Sequence, residues 1–368
     1  MIAETAVRFN PFPGLRSFEP EEEHLFFGRE RQIDELLARL RRSRFLAVVG
    51  TSGSGKSSLV RSGLIPALHG GFMTQAGSSW RVAIFRPGDD PIGNLAAALA
   101  GPEVLGGDPA LADLHRTLID TTLHRSARGL SEAARLARIP AQDNLLIVVD
   151  QLEELFRFKR NPRIKDSQEE AMAFVRLLLT AVQEGDTAVY VVLTMRSDFI
   201  GNCTELPGLA EAVNDGQFLV PRMTREERRA AITGPVAVGG AAISQRLLLR
   251  LLNDIGDDPD QLPILQHALM RTWDRWESDH RGDEPLDLRH FEAAGTLREA
   301  LSLHAEEAYQ EVPSDRQREI AAIVFKTLTE HGADRRGVRR PTRIAEIAEI
   351  AGTTTEEVMA VADRFRLP

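Results

Sequence analysis

A chain of 368 residues exceeds the usual single-domain range, so two or three domains are expected. A net charge of −9 argues against a surface built as a whole to hold nucleic acid. The single cysteine, Cys203, leaves no intrachain disulfide and no cysteine-rich zinc site. No apolar run reaches the ~18 residues of a membrane span, and the N-terminus lacks a signal-peptide pattern; a cytoplasmic protein with no membrane partner is expected.

In chain order, Asn10-Pro-Phe-Pro-Gly14 predicts a stiff, extended lead-in. From Arg29 to Arg42, Ile33, Leu36, Leu37 and Leu40 recur at helical spacing. Short apolar runs follow at 45–49, 81–85, 145–149, 188–194 and 217–220, with helical stretches near 91–100, 110–138 and 167–184 between them. Runs that are apolar throughout, rather than alternating, suit a parallel sheet covered on both faces. Strand-helix alternation of this kind predicts an α/β fold with right-handed crossovers. After Pro221 the strand pattern stops. Thr224-Arg-Glu-Glu227 predicts a capped helix start, with Thr224 as N-cap and Glu227 as the third helical residue. The pattern stays helical to about residue 310, broken by turns such as Gly256-Asp-Asp-Pro259. Domain boundaries are expected near 221–224 and 312–316.

The stretch Gly50-Thr51-Ser52-Gly53-Ser54-Gly55-Lys56-Ser57 fits G-x-x-x-x-G-K-[ST] between a predicted strand and a predicted helix. Glycines let the backbone curl so that successive N–H groups point inward at phosphate oxygens. Gly50, Ser52, Gly53, Ser54, Gly55, Lys56, Ser57 and Ser58 are the expected nucleotide contacts. Lys56 would reach the β- and γ-phosphates and Ser57 would hold Mg²⁺. Lys56 is one of only four lysines. The run 145–149 ends in Asp150, the Walker B pattern, and Asp150 is the second expected magnesium residue. Glu153 and Glu154 follow; one of them would orient and deprotonate the attacking water, with Glu154 favoured. In Leu193-Thr194-Met195-Arg196-Ser197-Asp198, Arg196 either reads the γ-phosphate or pairs with Asp198.

Around Phe27-Gly28-Arg29-Glu30 two readings stand. A turn beside apolar rings can pack on a base, or it can start a helix with an apolar staple. Pro263 is explained by helix initiation as the first helical residue. His267 reads as a helix-face residue, Trp273 and Trp276 as packing, and the histidines show no metal spacing. The segments 344–351, Gly352 and 355–365 have helix-turn-helix spacing, but Glu356, Glu357 and Asp363 make the second helix acidic, which disfavours duplex DNA as a partner.

These stretches together resemble the STAND class of P-loop NTPases, signal transduction ATPases with numerous domains, and within it the bacterial novel STAND group. The stretches that carry the resemblance are 10–18, 26–30, 50–57, 149–156, 193–199 and 262–269. The resemblance implies a P-loop nucleotide-binding domain at 1–222 with sheet order 5-1-4-3-2. It further implies a helical lid domain at 223–312 and a partial winged-helix domain at 313–368. It places Gly28 and Arg29 by the adenine, makes Arg196 the sensor arginine, and sets Pro263 against the nucleotide from the lid. Leu262 stands where NB-ARC relatives have a variable residue preceded by glycine. Relatives continue into a winged-helix strand whose histidine contacts the diphosphate, so a longer protein is expected beyond Pro368, with effector or sensor domains elsewhere. The implied cofactors are ATP or ADP with Mg²⁺, and the implied activity is a slow ATPase that opens and self-associates when ATP replaces ADP. The choice of adenine rests on the resemblance; the chain has no guanine-reading Asn-Lys-x-Asp tract. The alternatives are an ATP-dependent DNA-binding regulator and a scaffold whose nucleotide is never turned over.

Overall fold

The computed structural model describes residues 8–73, 76–140, 142–160, 164, 166–184, 188–255, 261–331, 337–339 and 342–365. The chain divides into two compact units, Met1–Ile243 with Leu248–Pro263, and Ser244–Leu247 with Ile264–Pro368.

The first unit is built on five parallel strands: β1 (Phe45–Gly50), β2 (Trp80–Phe85), β3 (Asn144–Val149), β4 (Val189–Arg196) and β5 (Gln217–Leu219). Their order is β2-β3-β4-β1-β5, the 5-1-4-3-2 arrangement read from the other edge. The apolar runs are explained by the two faces. Phe45, Ala47 and Val49 of β1, with Leu145, Ile147 and Val149 of β3, pack under the helices Pro91–Leu99, Ala112–Arg125, Gly129–Leu136 and Ser167–Gln183. Leu46, Val48, Leu146 and Val148 point the other way, toward helix Glu30–Ser43 and the helical stretch after β1. Alternate residues leave opposite faces of a strand, so both sets must be apolar. Each of the valine, leucine, isoleucine and phenylalanine side chains among them contributes roughly 1.5–3 kcal/mol by leaving water.

The expected helical stretch 110–138 is two helices, because Ser126 is fully extended (φ −163°, ψ 167°) and ends the first. The helix after β1 starts as Lys56–Ser58, widens to a π-helical stretch at Leu59–Leu64 and continues as Ile65–His69. Pro66 has no N–H to give to the turn above it, which accounts for the wider winding. Thr224 caps helix Arg225–Val238 as its sequence predicts: its hydroxyl accepts from the Glu227 N–H at 3.2 Å and Glu227 Oε2 accepts from the Thr224 N–H at 2.6 Å.

The chain continues as helices Gln245–Asp254 and Gln261–Asp279. The turn expected at 256–259 lies outside the described residues. In the second unit Trp273 and Trp276 are core residues, and Trp276 Nε1 donates to Glu284 O at 2.8 Å. Farther on, Ile320, Ala321 and Val324 of helix Asp315–Thr327 pack with Ile347, Ala348, Ala351, Val358 and Val361. Those five come from helices Ile344–Ala351 and Thr355–Arg364, joined through Gly352 in the left-handed region. An antiparallel pair, β6 (Thr329–His331) and β7 (Gly337–Arg339), lies between. Among the described residues no helix is long and apolar enough to cross a membrane.

Candidate functional site

Strand register delivers the candidate residues to one sheet edge. Gly50, the last residue of β1, is level with Arg196, the last of β4, and Val149 of β3 is level with Leu193. The loop 50–57, Asp150 and Arg196 therefore meet at the carboxyl ends of adjacent strands, where open α/β sheets hold their ligands.

Gly53 (φ +67°) and Gly55 (φ +84°) take left-handed backbone conformations that curl this loop. A Cβ at Gly55 would meet nothing within 4 Å, so glycine is required there by the backbone angle rather than by space. Lys56 is buried, and its Nζ donates to Thr51 O at 2.6 Å and Gly50 O at 3.1 Å. Burial pulls its pKa below the ordinary lysine value, a shift that the nearby Glu153 carboxylate opposes. The ammonium thus bends back over the loop and is held there by carbonyls that a phosphate would replace. Ser54 is buried and donates to Thr51 O at 2.9 Å, which braces the turn. Ser52 is exposed on the loop. Ser58 points elsewhere, its hydroxyl accepting from the Phe18 N–H at 3.2 Å.

Asp150 is the centre of the group. Its Oδ1 accepts from the Ser57 hydroxyl at 2.7 Å and from the Thr194 hydroxyl at 2.6 Å. Its Oδ2 faces two guanidinium groups, Arg61 at 3.5 Å and Arg86 at 4.0 Å. The side chain is only 2% exposed, and buried polar groups are held by partners of this kind. A serine hydroxyl beside a carboxylate is the hard-oxygen donor set that magnesium takes, so Ser57 and Asp150 fit that ion.

The two glutamates diverge. Glu153 is buried, and its Oε2 accepts from the Arg196 N–H at 3.3 Å, close enough for its charge to act on Lys56. Glu154 Oε2 accepts from the Gly88 N–H at 3.1 Å, and burial pushes its carboxyl above the ordinary glutamate pKa. Between Asp150 and these glutamates, Gln151 sits at φ +61°, a strained angle for a residue with a side chain. Arg196 makes a two-pronged pair with Asp198, at 3.0 and 2.7 Å.

Arg29 is buried, and its guanidinium donates to Ser54 O at 3.3 Å and Pro221 O at 2.9 Å, tying the loop to the exit of β5. Gly28 (φ +81°) lies against helix Arg225–Val238, where an added Cβ would come within 2.3 Å of Glu227 O. Pro263 is the third residue of helix Gln261–Asp279, two places later than the first-position reading. Among the described residues the hydrogen bonds of the sheet edge do not reach it. Sequence reasoning missed Thr194, Arg61 and Arg86 as partners of Asp150. The available signal for Arg61 was its spacing, one helical turn after Ser57.

A profile of the Novel STAND NTPase 1 family matches residues 11–367. The chain belongs to this family. The sheet order and the loop 50–57 are accordingly those of a P-loop NTPase. A search of curated proteins finds no match. Among solved structures this novel STAND NTPase is similar to the ADP form of the ORC2 protein of Aeropyrum pernix, with 14% identity, 96% of this chain and 95% of that chain covered, and a TM-score of 0.49. It is similar to a Walker-type ATPase of Pyrococcus abyssi at 13% identity, with 95% and 98% covered and a TM-score of 0.46. It is also similar to Cdc6p of Pyrobaculum aerophilum at 12% identity, with 92% and 85% covered and a TM-score of 0.40.

Proposed function

We propose that this NTPase is a nucleotide-operated signalling switch in the cytoplasm. It binds ATP and ADP with Mg²⁺, hydrolyses ATP slowly, and couples exchange of ADP for ATP to opening and self-association. The observation that carries this reading is the convergence of Lys56, Ser57 and Asp150 at the ends of β1 and β3, with Ser57 bonded to Asp150 at 2.7 Å.

Lys56 would leave the carbonyls of Gly50 and Thr51 for the β- and γ-phosphates, while the loop N–H groups hold the remaining oxygens. Ser57 and Asp150 would hold the magnesium ion, which when bound neutralises charge on the transferred phosphoryl group. Arg196 would leave Asp198 for the γ-phosphate. Glu154 would take the proton of the attacking water, as its raised pKa suits a base, with Glu153 holding Lys56 in place. Gly28 and Arg29 would flank the adenine. The lid at 223–312 would close on the nucleotide through Pro263, and a winged-helix domain at 313–368 would follow it in the chain. Only a ligand that bonds two states unequally moves their balance, and a γ-phosphate read by Lys56 and Arg196 is such a ligand.

The alternative of ATP-dependent DNA binding gains no support, since helix Thr355–Arg364 opens with Glu356 and Glu357. The switch is tested by identifying the nucleotide on the purified protein and measuring its mass in solution by light scattering before and after exchange. Bound ADP and a larger mass with a non-hydrolysable ATP analogue are expected. A protein whose mass is the same with either nucleotide would contradict the switch.

A further inference from the structure

The helix that follows the loop 50–57 carries a cation aimed at the candidate metal site. Arg61 lies one turn after Ser57, and its side chain is 18% exposed. It divides its charge between two carboxylates: Nη2 is 3.5 Å from Asp150 Oδ2, and Nη1 is 2.7 Å from Glu19 Oε2. Its Nε is buried with no hydrogen-bond partner among the described residues. Its hold on Asp150 is the looser of the two.

Glu19 belongs to the lead-in, residues 8–29 ahead of helix Glu30–Ser43, and this lead-in is clasped to the helix that carries Arg61. Glu19 O accepts from the Ser62 hydroxyl at 2.7 Å, and the Phe18 N–H donates to Ser58 Oγ at 3.2 Å. The lead-in thus touches residues 58, 61 and 62, the turn directly after the phosphate loop.

The two oxygens of Asp150 are used differently. Oδ1 accepts from two hydroxyls, whereas among the described residues Oδ2 faces two guanidinium groups, Arg61 being the closer. A divalent cation and a guanidinium cannot both sit close to one buried carboxylate without repelling each other.

We propose that Arg61 is a positioning residue that stands in for the divalent cation at Asp150, and that Glu19 of the lead-in takes up its charge when the cation arrives. Arrival of metal would then leave Arg61 to Glu19 alone, so that metal occupancy is felt by the lead-in. This rests on the reading of Ser57 and Asp150 as the metal residues.

The test is calorimetric binding of ADP in excess MgCl₂ and in EDTA, for wild type, Arg61→Gln and Glu19→Gln. The readout is the ratio of the two dissociation constants. Arg61→Gln removes the competitor and leaves Asp150 short of positive charge, so the gain from magnesium rises, by about tenfold for loss of one charged contact. Glu19→Gln removes the rival carboxylate, so Arg61 holds Asp150 more firmly and the gain from magnesium falls. Opposite movement of the two variants is the expected result. An unchanged ratio in both variants would overturn the proposal, as would equal weakening of both constants in Arg61→Gln, the signature of a direct phosphate contact. Wild type that binds ADP in neither buffer would instead sink the nucleotide reading itself.

Discussion

The Ser57 hydroxyl donates to Oδ1 of Asp150 across 2.7 Å, joining residues 93 positions apart in the chain. One follows β1 and the other follows β3, and β4 lies between those strands in the sheet. Thr194 of β4 closes the gap: its hydroxyl donates to the same Oδ1 at 2.6 Å and accepts from the Gln151 N–H at 2.9 Å.

Thr194→Val keeps the shape of this bridge and removes its polarity. The Gln151 N–H and Asp150 would each lose a partner in a buried setting, at a cost of about 1–3 kcal/mol. The melting temperature is expected to fall, and Thr194→Ser is expected to restore most of it. Equal melting of Thr194→Val and wild type would show that the hydroxyl does not hold Asp150.

Glu154→Gln separates catalysis from folding. Glu154 has a folded-state pKa raised by burial, so ionising it costs stability as pH rises upward from the ordinary glutamate range. A neutral glutamine avoids that cost, and the variant is expected to melt no lower than wild type at pH 7. Its single-turnover hydrolysis is expected to drop by about 100-fold or more, with nucleotide binding kept. Turnover that survives in Glu154→Gln and vanishes in Glu153→Gln would move the base to Glu153.

His267 and His304 predict acid sensitivity in the second unit. Their rings stack at 5.0 Å, and burial is the main cause that lowers both pKa values. A histidine with a depressed folded-state pKa contributes stability that is present above its unfolded pKa of about 6.5 and is lost as pH falls through the folded value. Melting temperature is therefore expected to drop between pH 7.5 and 5.5, and His304→Asn is expected to shrink the drop. An equal drop in the variant would clear the pair of this role.

Gly28→Ala tests the packing of the lead-in turn on helix Arg225–Val238. The new Cβ would sit 2.3 Å from Glu227 O, on a backbone already at φ +81°. A loss of about 1–3 kcal/mol is expected from the backbone angle alone, read by chemical denaturation. A neutral substitution would mean that the turn moves freely from the helix.

Much of this fold was legible because it is written in local pattern. The five apolar runs are the five strands, since a sheet covered on both faces leaves no polar alternation. Thr224 and Glu227 announce a helix start because a capping box needs only four consecutive residues. What was not legible depends on register between distant segments. Arg61 is one arginine among many until the helix after β1 turns it toward Asp150. Glu153 and Glu154 are adjacent in sequence, yet one accepts from the Arg196 N–H and the other from the Gly88 N–H, a divergence set by the helix they begin. The split of 110–138 rests on one extended residue, Ser126, which no periodicity marks.

Calorimetric titration of ADP in the presence of magnesium, into wild type and into Lys56→Ala, shows whether the loop 50–57 holds a nucleotide. Saturable one-site binding is expected in wild type and none in Lys56→Ala. Wild type that takes up no nucleotide, or a Lys56→Ala variant that binds as tightly as wild type, would contradict that reading of the loop.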